Sequence, residues 1–173
     1  MTLGSFSLAR LTAAIPAKPR HFHTVTLIAA VVAAIATFAT TAVPLPAWAM
    51  FLGWVGYSLG AQTRRDGIAN LASFLLGLSL GVGTGLVIKL LTPLLGDTAA
   101  PFAVFGDVIL VLSLRNLPRI NNPLAYFLGL ISFFASAQAP SGSLLAMLAA
   151  AGVIGALGAE LSRLLQSRLL PAA

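Results

Sequence analysis

Apolar residues run along this chain in long blocks, interrupted by Pro, Gly or an isolated charge rather than by a regular polar face. Read for such boundaries, the pattern predicts six helical segments, near 24 to 42, 47 to 61, 70 to 91, 100 to 117, 123 to 138 and 143 to 163. A helix needs roughly 20 apolar residues to cross a hydrocarbon core of about 30 Å. The second and fifth segments fall short of that, so broken, re-entrant or neighbour-buried helices are expected there.

Two stretches repeat. Ala49 to Gln62 reads AMFLGWVGYSLGAQ and Ala125 to Gln138 reads AYFLGLISFFASAQ, so A-x-F-L-G, seven residues and A-Q recur at an offset of 76. Allowing one deletion, Gly77 and Gly83 then align with Gly152 and Gly158. Each unit holds three segments, and a tandem copy of an odd number of spans enters the membrane from the opposite side, giving halves related by a two-fold axis in the membrane plane. The expected fold is therefore an all-α membrane protein of six transmembrane helices in two inverted repeats, 24–98 and 99–165. A basic tail (1–23) precedes them and a short tail (166–173) follows.

Composition fixes the solvent. Apolar residues make up 58% of the chain and charged residues 8%, with a mean hydropathy of +0.98, whereas roughly a quarter of a soluble domain is charged. The net charge of +6 is not a nucleic-acid footprint, because the basic residues stand one or two at a time between apolar runs. They follow the positive-inside pattern instead. With the amino terminus inside, Arg10, Lys18, Arg20, Arg64, Arg65, Arg115, Arg119, Arg163 and Arg168 all fall on the inner side. The outer connections VPLP (43–46), TPLLGDTAAP (92–101) and QAPSGS (138–143) carry no Lys or Arg, and Lys89 alone dissents. Both termini are expected in the cytoplasm, with the lipid bilayer as principal partner.

The chemistry of the chain is sparse. There is no Cys, and His21 and His23 form an H-x-H pair in the basic tail with no third ligand near them in sequence, so no metal and no cofactor are expected. The acids Asp66, Asp97, Asp107 and Glu160 are scattered, and a serine nucleophile would lack a base. No enzyme activity is expected.

Gly77, Gly81 and Gly85 recur every four residues, and Gly152, Gly155 and Gly158 every three. Such small faces let helices approach closely in lipid. The aromatics after each proline-flanked entry, including Trp54, Tyr57 and Phe133, and the paired Gln62 and Gln138, are candidates to line a solute path; interfacial anchoring and packing are the competing roles. Asp107 lies about seven residues inside the fourth segment, roughly 10 Å deep, and Lys89 lies near the outer end of the third. Either they pair, or Asp107 lines a polar path as a proton or cation site. Glu160 and Arg163 read as an ion pair at the end of a helix.

The runs FLGWVGYSLG and NPLAYFLGLISFFAS, over roughly 44 to 163, resemble the YcdZ-like family of small bacterial inner-membrane proteins (domain of unknown function 1097). That resemblance implies a bacterial inner-membrane location and supplies no functional residues, since the family has no established activity. The function expected from the residues is a small-solute channel or secondary transporter acting as a homo-oligomer; the alternative is a non-transporting membrane scaffold or accessory subunit. Reporters fused after Arg65 and after Arg119 should read cytoplasmic and one in the QAPSGS loop external; a cytoplasmic signal from that loop would remove both the six-span count and the inverted halves.

Overall fold

The computed structural model describes residues 22–169, and within them every regular element is helical. The helices are α1 (Phe22–Ala42), α2 (Ala47–Ser58), α3 (Arg64–Leu95), α4 (Ala99–Leu114), α5 (Pro123–Ala135) and α6 (Gly142–Leu169), with a 3-10 turn at Gly96–Thr98 between α3 and α4. His21, most of the basic tail and the last four residues lie outside the described part.

Three stretches are long and apolar enough to cross a membrane: Phe22–Ala42, Arg64–Leu114 and Gly142–Leu169. The second contains both α3 and α4. Six comparable crossings are not what the lengths provide. At 1.5 Å per residue α2 measures about 18 Å, α5 about 20 Å and α4 about 24 Å, all shorter than a hydrocarbon core of about 30 Å. The outward faces are those of a protein bathed in lipid: on α1, Leu27, Val31, Ile35 and Phe38 are exposed while Val32, Ala36 and Thr40 face inward.

The largest boundary correction is at α3, which begins at Arg64 rather than near 70. Thr63 and Asp66 form a capping box: the Thr63 hydroxyl accepts from the Asp66 amide, and the Asp66 carboxylate accepts from the Thr63 amide at 2.9 Å. Two orphan donors of the first turn are thereby satisfied, so the charged turn TRRD is helix and not loop. At the far end α3 runs two residues past Pro93 and stops at Gly96, whose φ of 55° is a left-handed conformation that costs glycine little. α6 likewise continues past 163 to Leu169.

Helix α2 packs mainly along α6, and α5 mainly along α3. Both contacts run through glycine. A Cβ on Gly155 would overlap the carbonyl oxygen of Met50, and one on Gly77 the carbonyl oxygen of Tyr126; Gly53 lies on the backbone of Gly152, and Gly129 on that of Phe74. Gly81 and Gly85 receive the Phe133 ring, Gly158 the Trp54 ring, and Gly152 the Phe74 ring. The centre is filled by Met50, Phe74, Leu78, Tyr126 and Leu148, all buried.

This packing sets a stability test. Gly155→Ala and Gly77→Ala each drive a methyl into main-chain atoms that cannot rotate away, so each should cost at least the roughly 1–3 kcal/mol of ordinary overpacking. Gly83, which has nothing within 4 Å of its would-be Cβ, should tolerate Ala or gain up to about 1 kcal/mol. Thermal unfolding in detergent reads both; equal loss in all three variants would refute the assignment.

Candidate functional site, a polar cleft at the basic end

Several contacts gather helix ends at one pole of the molecule. Asn122, before α5, reaches Leu59 at the end of α2; Arg64, opening α3, approaches Glu160 on α6; and Gln166 near the end of α6 donates to the Val25 carbonyl on α1. Arg64, Arg65, Arg119, Arg163 and Arg168 belong to this end, while Lys89 lies toward the opposite end of α3.

The polar groups here exist because α2 stops abruptly. The last carbonyls of a helix have no intrahelical donors. Asn70, one and a half turns into α3, supplies them: its Nδ2 donates to Leu59 O at 2.8 Å and to Tyr57 O at 3.3 Å. Asn122 then donates from Nδ2 to Asn70 Oδ1 at 2.9 Å and to Leu59 O at 3.3 Å, joining the end of α2 to the start of α5. Pro123 at the first position of α5 sacrifices no helix bond. The Tyr126 hydroxyl donates to Ile120 O at 3.1 Å and fixes the incoming chain, in which Arg119 takes a φ of 82°. Beside this amide pair is a cleft of about 450 Å³ lined by Gly60, Asp66, Asn70, Arg119, Asn121 and Asn122.

Next to it Glu160 forms a hub. Its carboxylate accepts from Tyr57 Oη at 2.8 Å, from Arg163 Nε at 2.9 Å and from an Arg163 terminal nitrogen at 2.7 Å, with Arg64 Nε at 3.9 Å. The bidentate Arg163 contact is the strong form of such a pair. Tyr57, Trp54, Ser162, Arg163 and Gln166 border a second, smaller recess of about 260 Å³ between α1, α2 and α6.

The residues proposed from sequence do not converge. Gln62 and Gln138 are exposed and stand in different loops, Gln62 against Asp66 and Gln138 against Ser136. Trp54 and Phe133 are engaged on glycine faces, and Tyr57 is buried against Gly67 with its hydroxyl on Glu160. Asp107 is buried, lines a crevice together with Thr84, and forms none of the ion pairs seen among the described residues, which converge on Glu160. Lys89 is exposed and does not meet it. Helical phase explains the miss: the five residues from Thr84 to Lys89 turn the chain by about 140° beyond a full turn, so the two side chains leave opposite flanks of α3. Asn70, Arg119 and Asn122 were not singled out as a group, although N-N-P ahead of a short apolar segment is a legible capping signal.

No curated protein and no solved structure matches the chain. The family described as "Protein of unknown function (DUF1097)" matches over residues 26–163, which takes in all six helices apart from the ends of α1 and α6. The chain belongs to this family of proteins of unknown function.

Proposed function

We propose that the protein is a small-solute secondary transporter of the bacterial inner membrane, built from two inverted halves, with both termini cytoplasmic. The observation that carries this reading is the polar cleft where two short helices meet, α2 ending and α5 beginning on the Asn70–Asn122 amide pair. Interrupted helices whose ends are held by side chains are where membrane carriers place polar backbone near a solute.

Inverted halves are supported by the pairing of the helices. α2 with α6 is matched by α5 with α3, α1 with α6 by α4 with α3, and α1 with α2 by α4 with α5; α1 does not touch α3, nor α4 touch α6. α2 and α3 lie closer together than α5 and α6, the one departure from this scheme. The glycine contacts set the register. Met50 and Tyr126 are 76 residues apart and their glycine partners, Gly155 and Gly77, are 78 apart. Gly77 thus corresponds to Gly155 and not to Gly152, so the single deletion in the sequence alignment gives way to an insertion of two. Cytoplasmic termini are supported by the gathering of arginines at one end. A homo-oligomer remains part of the proposal, on the small size of the bundle.

The closed centre favours a carrier over an open channel, and it also gives the scaffold reading its specific support. Liposome flux separates them. Purified protein should move at least one solute from a panel of small neutral and charged compounds, and Arg119→Ala or Asn121→Ala, both exposed and outside the packed core, should lower that flux about tenfold with folded yield unchanged, the scale of one lost charge-assisted hydrogen bond. Absence of flux across the panel would leave the scaffold.

A further inference from the structure

Asp107 sits halfway along α4, eight residues after its first residue and seven before its last. It is buried and lines two crevices that open to the outside of the bundle. One, of about 390 Å³, lies between α3 and α4; the other, of about 330 Å³, lies between α4 and α5. Gly83 and Gly106 keep the first crevice open, since a Cβ at either would meet nothing within 4 Å. The walls are apolar and partly aromatic, with Phe102 in one crevice and Phe127 and Phe134 in the other. None of the side chains that line them from α3, α4 or α5 is basic.

A carboxylate offers about four acceptor positions, and Thr84 is the one hydroxyl side chain that shares the lining of these crevices with it. Intramembrane acids normally face a partner cation or a watery cavity. Here the surroundings are apolar, and Asp107 is the one acid among the residues that line them. Divalent cations fit poorly, because Ca²⁺ and Mg²⁺ require about six oxygen ligands and Asp107 and Thr84 contribute the only side-chain oxygens among the lining residues. An organic cation suits both features, since apolar groups fill the walls, aromatic rings attract positive charge, and the carboxylate neutralises it. The rims carry exposed Val87, Phe102, Val104, Ile131 and Phe134, so the entrance faces lipid rather than water.

We propose that the Asp107 crevice is a binding site for a lipophilic monocation, an organic ammonium or phosphonium that enters from the bilayer and sets its charge against the carboxylate. The site stands apart from the transport reading, because binding at equilibrium requires no flux.

The test uses the full chain in zwitterionic lipid nanodiscs and labelled tetraphenylphosphonium, a permanent cation, by equilibrium dialysis with empty nanodiscs subtracted. Saturable binding is expected, and labelled tetraphenylborate, of the same shape and opposite charge, should show none when dialysed separately. Asp107→Asn should weaken binding about tenfold or more, the scale of losing one charged contact, and Asp107→Glu should retain it within about threefold, since the charge is kept. Gly106→Leu puts a side chain where a Cβ meets open space while keeping both Asp107 and Thr84, and should weaken binding about tenfold by occlusion; it decides the matter should Asp107→Asn fail to fold. Uptake equal to that of empty nanodiscs, equal saturable binding of tetraphenylborate, or unchanged affinity in Asp107→Asn or Gly106→Leu would overturn the proposal.

Discussion

Direct approach of one helix backbone to another, at Gly53, Gly77, Gly129 and Gly155, is the constraint on which the rest of this molecule depends. In lipid there is no hydrophobic gain from bringing two apolar helices together, so close packing and satisfied polar groups must supply the attraction. A helix of 12 or 13 residues has little surface with which to do this. α2 and α5 gain enough only because their partners present no side chain at the crossing, so that a main-chain carbonyl rests where a Cβ would be. Phe74 is then wedged between Gly56 and Gly152, and the centre closes around it.

That closure also decides what the buried hydroxyls do. Thr40, Ser73 and Ser132 are buried, yet each donates to the carbonyl four residues back in its own helix. Residues that return their hydroxyl to the preceding turn satisfy themselves locally. They provide no line of free donors through the membrane. Apart from the buried Asp107 and Thr84, polar chemistry therefore collects at the Asn70–Asn122 pair and at Glu160, and most of the interior is left to glycine and large apolar side chains.

Much of this was legible in the residues. The helical, membrane-embedded character followed from hydropathy, the shortness of the second and fifth segments from proline-flanked entries, and the Glu160–Arg163 pair from its spacing. Helix lengths were less so. The run 70 to 91 was bounded by charge, and charge is what a capping box uses: TRRD opens α3 rather than preceding it. Pairwise placement was least legible. Asp107 and Lys89 share a region of sequence, but facing one another depends on helical phase and on which neighbour each helix packs against, and hydropathy carries neither. The repeated A-x-F-L-G held the important residue, since Gly53 and Gly129 both lie on another helix's backbone, while the aromatics around it turned out to occupy glycine faces.

The proposed two-fold sharpens the difference between the two ends. Under that proposal, with 76 residues separating equivalent positions of α2 and α5, and 78 those of α3 and α6, Tyr57 would correspond to Phe133 and Glu160 to Val82. Tyr57 donates to Glu160, whereas Phe133 and Val82 belong to one apolar cluster. Similar backbone crossings thus carry an ionic hub at the arginine-rich end and hydrocarbon at the other. The acid on the hydrocarbon side comes from α4 instead, through Asp107, and the crevices it lines hold the Thr84 hydroxyl and no basic side chain, where Glu160 has guanidinium groups. A charge without a counter-charge is costly in lipid and a paired one much less so. Glu160 is accounted for by structure alone, and Asp107 is the acid whose cost still calls for a partner.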